Sequence, residues 1–214
     1  VTLVFTVQPA SVLPSFIDAV ALDCTTQPWY AGTPIIELDG SNAEAGTSGL
    51  TILSEGSGST IRGLVINRFS GNGILIDQAS NNVIEGNFIG SNAAGAMALG
   101  NASAGIRVGD AANNTIGGVA AGARNVISGN AGSGIQIAGV NATGNVVAGN
   151  YIGTDAAGEL ALGNAVAGVE VLNGASDVTI DQNVISGNGA DLSFSGIDII
   201  GPGTTGVVVT GNLI

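Results

Sequence analysis

Histidine and lysine are absent from the sequence, cysteine occurs once, and aromatic residues make up 4% of the 214 positions. Each absence excludes something. Without Lys, only four Arg face 16 carboxylates, for a net charge of −12. Nucleic acid is therefore not an expected partner, since phosphate affinity rests on Lys and Arg, and a polyanion such as polygalacturonate is repelled at long range. The lack of His removes the commonest general base, leaving carboxylates or Arg for any proton transfer. A lone Cys24 forms no internal disulfide and reads as a small buried apolar residue. The few aromatics argue against a core built on large rings. No run approaches the roughly 18 apolar residues of a membrane span. The opening "VTLVFTV" has no basic segment and is too short for a signal peptide, so it reads as a strand.

What the sequence does have is glycine, 36 residues of it, and a 45% hydrophobic fraction drawn mostly from Ala, Val, Ile and Leu. With only five Pro, the glycine fits neither a collagen period nor a Pro-rich linker. It fits a repeat. Gly followed by apolar, variable, apolar occurs at Gly49, Gly73, Gly105, Gly134, Gly168 and Gly196, at intervals of 24, 32, 29, 34 and 28 residues. Apolar, variable, apolar is the period of a strand with one buried face. The preceding Gly occupies a place where a side chain would clash.

Two further strands complete each unit, as in "NNVIEGNFIG" from Asn81, "GNVVAGNYIG" from Gly144 and "TGVVVTGNLI" from Thr205. Alignment puts Ile66, Ile89, Ile127, Ile152, Ile185 and Ile214 in one column. Asn87, Asn125, Asn150, Asn183 and Asn212 form another column two residues earlier, where side-chain amides at a bend can bond up and down a stack. Three short strands per unit of varying length predict an all-β, right-handed parallel β-helix of about six to seven coils, because a left-handed one needs a strict hexapeptide rhythm. At about 4.8 Å per coil the rod is roughly 30 Å long. Residues 1–48 are expected to be capping or irregular first coils, and 49–214 regular coils that continue beyond the C-terminus of this chain.

"NVISGN" occurs at Asn125 and again at Asn183, and "SGN" ends at Asn72, Asn130 and Asn188, each 58 residues after the last. Between them stand two longer segments, "IGSNAAGAMALGN" (89–101) and "IGTDAAGELALGN" (152–164), identical at nine of thirteen places. The expected repeat is thus a pair of unequal coils, with the two long segments leaving the rod as a ridge about 9.6 Å apart.

The runs "GTPIIELDGSNA", "IRGLVINRFSGNGI", "NVIEGNFIG", "ARNVISGN" and "GNYIGTDAAGELALGN" resemble the right-handed β-helix repeat regions of large secreted or surface bacterial proteins, in the pectate-lyase-like superfamily. The resemblance covers Asp23 to Ile214 and implies the fold. It does not choose an activity, because that superfamily holds lyases, hydrolases, epimerases, tailspikes, adhesins and spacers. Related repeats carry "DGTTQPGY" where this chain has "DCTTQPWY" at Asp23–Tyr30, so Cys24 and Trp29 replace two glycines.

Candidate chemistry is sparse. The outward residue of each Gly signature runs Thr51, Leu75, Arg107, Gln136, Glu170, Asp198, which places Glu170 and Asp198 about 5 Å apart on neighbouring strands. That spacing suits a retaining glycosidase pair or a shared cation; the plainer reading is two solvated surface carboxylates. Trp29 and Tyr30 are the one adjacent aromatic pair and the candidate glycan platform. Asn92 and Asp155 hold equivalent places in the long segments and are weak candidates for calcium, which needs six to eight oxygens. No cofactor is expected, calcium being the one ion the residue types admit. Phe88 and Tyr151 share a column with Val65, Val126, Val184 and Leu213 and read as packing residues. No flat Thr array of the kind that binds ice recurs in the columns. The leading functional expectation is a non-catalytic structural rod, secreted or on the cell surface, serving as spacer, adhesin or filament subunit. Its partners would be glycans, the cell surface or further copies stacked end to end. The alternatives are a polysaccharide-binding or polysaccharide-cleaving β-helix, as glycoside hydrolase or lyase, and a phage tail fibre fragment.

Overall fold

The computed structural model describes residues 3–120, 122–189 and 195–214. The chain winds through three parallel sheets in a fixed order. The first sheet has seven strands: Phe5–Val7, Ile36–Asp39, Leu64–Asn67, Phe88–Ile89, Val126–Ile127, Tyr151–Ile152 and Val184–Ile185. The second has six: Leu50–Ile52, Ile74–Asp77, Ile106–Gly109, Ile135–Ala138, Val169–Leu172 and Ile197–Ile200. The third runs Ala21–Asp23, Thr60–Arg62, Val83–Glu85, Thr115–Gly117, Val146–Ala148, Thr179–Asp181 and Val208–Thr210. This is the right-handed parallel β-helix that the period-two pattern predicts.

The core is made of columns. In the second sheet Leu50, Ile74, Ile106, Ile135 and Val169 pair in register, as do Ile52, Ile76, Val108, Ile137 and Val171. All ten are buried. The third sheet contributes Ile61, Ile84, Ile116, Val147 and Ile180, and the first sheet Ile66, Ile89, Ile127, Ile152 and Ile185. Leu213 bridges to Val184, which carries Ile214 to the top of that column. Burying each such side chain contributes roughly 1.5–3 kcal/mol, and neighbours in the stack share it.

The Gly column and the Ile column meet. A methyl group placed on Gly73 would lie 2.6 Å from the Gly105 carbonyl oxygen and 2.6 Å from Cγ2 of Ile89; on Gly105 it would meet Gly134 at 2.7 Å and Ile127 at 2.6 Å. Close approach to the next coil, and not a left-handed backbone, excludes a side chain there.

Asparagine satisfies the bends. The Nδ2 groups of Asn87, Asn125, Asn150 and Asn183 donate to the Oδ1 of Asn125, Asn150, Asn183 and Asn212 at 3.2, 3.0, 3.0 and 2.9 Å. Each backbone N–H of the same four residues donates to that same oxygen. Two more ladders of this kind escaped the sequence reading: Asn82, Asn114, Asn145 and Asn101, Asn130, Asn164, Asn188. The last one corrects the 58-residue pattern. Asn130 and Asn188 are joined through Asn164, while Asn72 stands outside, because Phe69 takes the equivalent place and donates its N–H to Asn101 Oδ1 at 3.1 Å.

Within residues 1–48, Phe5–Val7 pairs in register with Ile36–Asp39, Phe16 bridges to Ile52, and Ala21–Asp23 pairs with Thr60–Arg62. The two opening residues of "VTLVFTV" lie outside the described residues. Trp29, standing where related repeats have Gly, takes a φ of 72°, a conformation that costs an L-residue about 1–2 kcal/mol.

Candidate functional site

On the outer face of the second sheet the variable residues align in register: Thr51 with Leu75, Leu75 with Arg107, Arg107 with Gln136, Gln136 with Glu170, and Glu170 with Asp198. Glu170 is not solvated. It is 9% exposed and accepts from Gln136 Nε2 at 2.7 Å and Ser133 Oγ at 3.1 Å. These donors offset the like charge of Asp198 one strand further on. In the adjacent column, Gly109 and Ala138 lie in register beyond Asp77. Their small size leaves a shallow cleft of about 430 Å³ that is bordered by Arg107, Asp77 and Asp110.

The outer face of the first sheet is different. Its column runs Thr6, Glu37, Val65, Phe88, Val126, Tyr151 and Val184. Val65, Phe88 and Val126 form a second apolar cluster outside the main core, with Ala93, Tyr151 and Ala156 packed against it. The long segments lie over this cluster as short antiparallel hairpins, closed by bridges Ser91 to Ala98 and Thr154 to Ala161. Asn92 Oδ1 accepts from the N–H groups of Ala96 and Met97 at 3.0 and 3.2 Å. Asp155 Oδ1 accepts from those of Glu159 and Leu160 at 2.8 and 3.1 Å. Hence the two equivalent residues hold their own turns, and the N–H groups of Glu159 and Leu160 keep the Asp155 carboxyl below the usual range. A methyl on Gly95 would sit 3.0 Å from the Phe88 ring, and one on Gly158 would sit 2.9 Å from the Tyr151 ring, so each aromatic is the shelf for one hairpin.

The hairpins are not separated by the two coil steps that divide their roots. Ala156 N–H donates to the Gly95 carbonyl at 2.9 Å, so they lean together into one ridge. Two clefts open beside it. One, about 600 Å³, is lined by Val4, Thr6, Thr33, Glu37 and the turn at Asn92. The other, about 250 Å³, lies at the corner with the third sheet between Tyr30, Thr33, Phe88, Gly122 and Arg124. Thr33 borders both.

Below the larger cleft Glu37 and Asp39, 8% and 2% exposed, share Arg68: its Nε reaches Asp39 at 2.9 Å and its Nη2 Glu37 at 3.7 Å. Thr6 and Asn67 donate to Glu37 at 2.7 and 2.9 Å. Burial pushes the Asp39 carboxyl up, but hydrogen bonds from Gln8 and Ser41 and the Arg68 charge outweigh it and hold it low. The proposed aromatic pair splits: Trp29 stacks on Phe5 with centroids 6.0 Å apart, whereas Tyr30 lines the corner cleft. Burial pushes the Tyr30 hydroxyl up. Arg62 lies between Asp23 and Glu85 on the third sheet, at 3.8 and 3.4 Å. Cys24 is buried, which raises its thiol. Among the described residues no three of His, Cys, Asp or Glu gather as a metal-holding group, and no helix is long and apolar enough to cross a membrane.

Sequence reasoning missed this face because its walls come from stretches outside the strand repeat: the loop at Thr33, the turn at Gly122 and the two hairpins. The one available signal was the matched pair of long segments.

A stacked rod with stapled bends, an open polar strip and a hairpin-covered face defines a β-helix repeat protein. The chain belongs to the family described as right handed beta helix region, whose profile matches residues 30–214. No curated protein sequence matches it. Among solved structures it is similar to the periplasmic alginate epimerase AlgG, at 15% identity and TM-score 0.53, covering 83% of this chain and 45% of that one. It is also similar to the A-module of the mannuronan C-5 epimerase AlgE4 of Azotobacter vinelandii, at 16% identity and TM-score 0.52, covering 99% and 55%. The chain thus spans about half the length of these structures, and the likeness is one of fold.

Proposed function

We propose that the chain is a non-catalytic rod segment of a secreted or cell-surface bacterial protein, acting as spacer or adhesive scaffold. What supports this reading is the commitment of its polar groups. The recurring Asn side chains are consumed by the ladders, Glu37 and Asp39 by Arg68, Asp23 and Glu85 by Arg62, and Glu170 by Ser133 and Gln136. General acid and base work needs a carboxylate able to exchange a proton with a substrate, and the paired carboxylates on the second sheet are Glu170, buried and hydrogen-bonded, and Asp198, half-buried. Incubation with a polysaccharide panel that includes alginate and polygalacturonate is expected to yield no cleavage or epimerisation. Turnover that disappears in Glu170→Gln, with the fold intact, would overturn the reading.

The open cleft around Arg107 favours a second reading, glycan binding without chemistry, and the similarity to proteins named as epimerases supports it. Affinity electrophoresis in glycan-loaded gels separates the two: retardation that Arg107→Gln abolishes establishes binding. End-to-end assembly is a separate property, read by light scattering over a concentration series; a constant monomer mass removes it.

A further inference from the structure

The four arginines are used unequally. Arg62 and Arg68 are taken up by carboxylates, and Arg107 stands exposed on the open second-sheet face. Arg124 has no ion-pair partner among the described residues, in a chain of 16 carboxylates, yet it is held from two sides. Its Nε donates to the Gly149 carbonyl at 3.1 Å, and its guanidinium lies 4.0 Å over the Tyr151 ring. These contacts fix the plane of the group and leave both terminal nitrogens without an acceptor among the described residues. Beside them is the corner cleft of about 250 Å³, with apolar walls from Pro34, Phe88 and Val126, the Tyr30 ring, the buried Gly86, and the exposed Gly32 and Gly122.

We propose that this cleft binds a small ligand carrying a single carboxylate on an apolar body. A guanidinium fork matches a carboxylate with two parallel hydrogen bonds. Holding it in advance removes part of the ordering cost of binding. The apolar walls take the remainder of the ligand, as in most small-molecule sites. The net charge of −12 works against polyanions, so the site selects one acidic group over many. The cleft lies where three stretches outside the coil strands converge: the loop containing Tyr30 to Pro34, the turn that carries Gly122 and Arg124, and the hairpin at Ala156. This inference is independent of whether the rod is catalytic.

The test is an amide-resolved NMR titration of the isotope-labelled chain with benzoate, with benzyl alcohol as the neutral analogue, and with a short peptide ending in Phe as free acid or amide. Saturable shifts of the Thr33, Gly86 and Gly122 amides with benzoate and not with benzyl alcohol are expected, with affinity falling about tenfold in Arg124→Gln. A response to the free-acid peptide alone assigns the site to chain-terminal carboxylates, and a response to benzoate alone to free small acids. Equal shifts with the neutral analogues, no saturable shift with any acid, or unchanged affinity in a folded Arg124→Gln would overturn the proposal. The wild-type comparison of benzoate with benzyl alcohol stands even where that variant fails to fold.

Discussion

The outer face of the second sheet takes one residue from each coil, Leu75, Arg107, Gln136, Glu170 and Asp198, and stays open along the rod. The outer face of the first sheet carries Phe88, Val126 and Tyr151 beneath two hairpins that touch each other. Both faces rest on the same in-register stack. A column that repeats makes a flat strip, because each coil adds the same projection at the same height. An enclosed cleft needs unequal coils. In this rod the repeat supplies rigidity, and the departures from it supply the two clefts beside the hairpins.

Both faces suffer most if the frame beneath them is cut. Asn150→Ala removes donors to Ile116 and Asn183 and orphans the Asn125 amide, with an expected loss of about 4 kcal/mol in denaturant unfolding. A loss under about 1 kcal/mol would mean the ladder is replaceable by water. Phe88→Ala should cost about 3 kcal/mol and speed hydrogen exchange in the 91–98 hairpin while sparing the second sheet. Equal acceleration on both faces would deny that the hairpins rest on their own shelf. Gly105→Ala drives a methyl against Ile127 and the Gly134 carbonyl, and about 2 kcal/mol of destabilisation is expected from overpacking.

Acid sharpens the contrast more gently. Asp39 and Asp155 have folded-state values below their ordinary ones, so the unfolded chain binds protons more readily. Their stabilisation is complete above the unfolded value of about 4 and is lost as pH falls through the lower folded values. Melting temperature should be level from neutral to about pH 5 and decline below about pH 4, less steeply in Asp39→Asn. The smallest effect belongs to the regular strip: Glu170→Gln weakens the hydrogen bonds from Ser133 and Gln136 but relieves the repulsion from Asp198, and should change stability by no more than about 1 kcal/mol.

The fold was legible because its energetics repeat. Period-two apolar triplets, a Gly ahead of each and an Ile column are local marks of one packing solution used again in each coil. The ladder of Asn82, Asn114 and Asn145 was less visible, since its distance from the preceding strand varies: the strands before them end at Asp77, Gly109 and Ala138. The match of Asn72 to Asn130 misled, because identical letters stood at different distances from the Gly column: one residue before Gly73 but four before Gly134. The register of Glu170 with Asp198 follows from the sequence column, whereas the burial of Glu170 comes from Ser133 and Gln136 one coil away.

Sequence alone was enough for the winding of the chain, the residues that stack and the net charge of −12, since these depend on nearest-neighbour periodicity and composition. Tertiary structure alone decided that Asn92 and Asp155 close their own turns, that the hairpins lean together, and that Arg124 is fixed over Tyr151 beside a cleft. Those outcomes depend on distances between segments of unequal length, and no spacing along the chain encodes such distances.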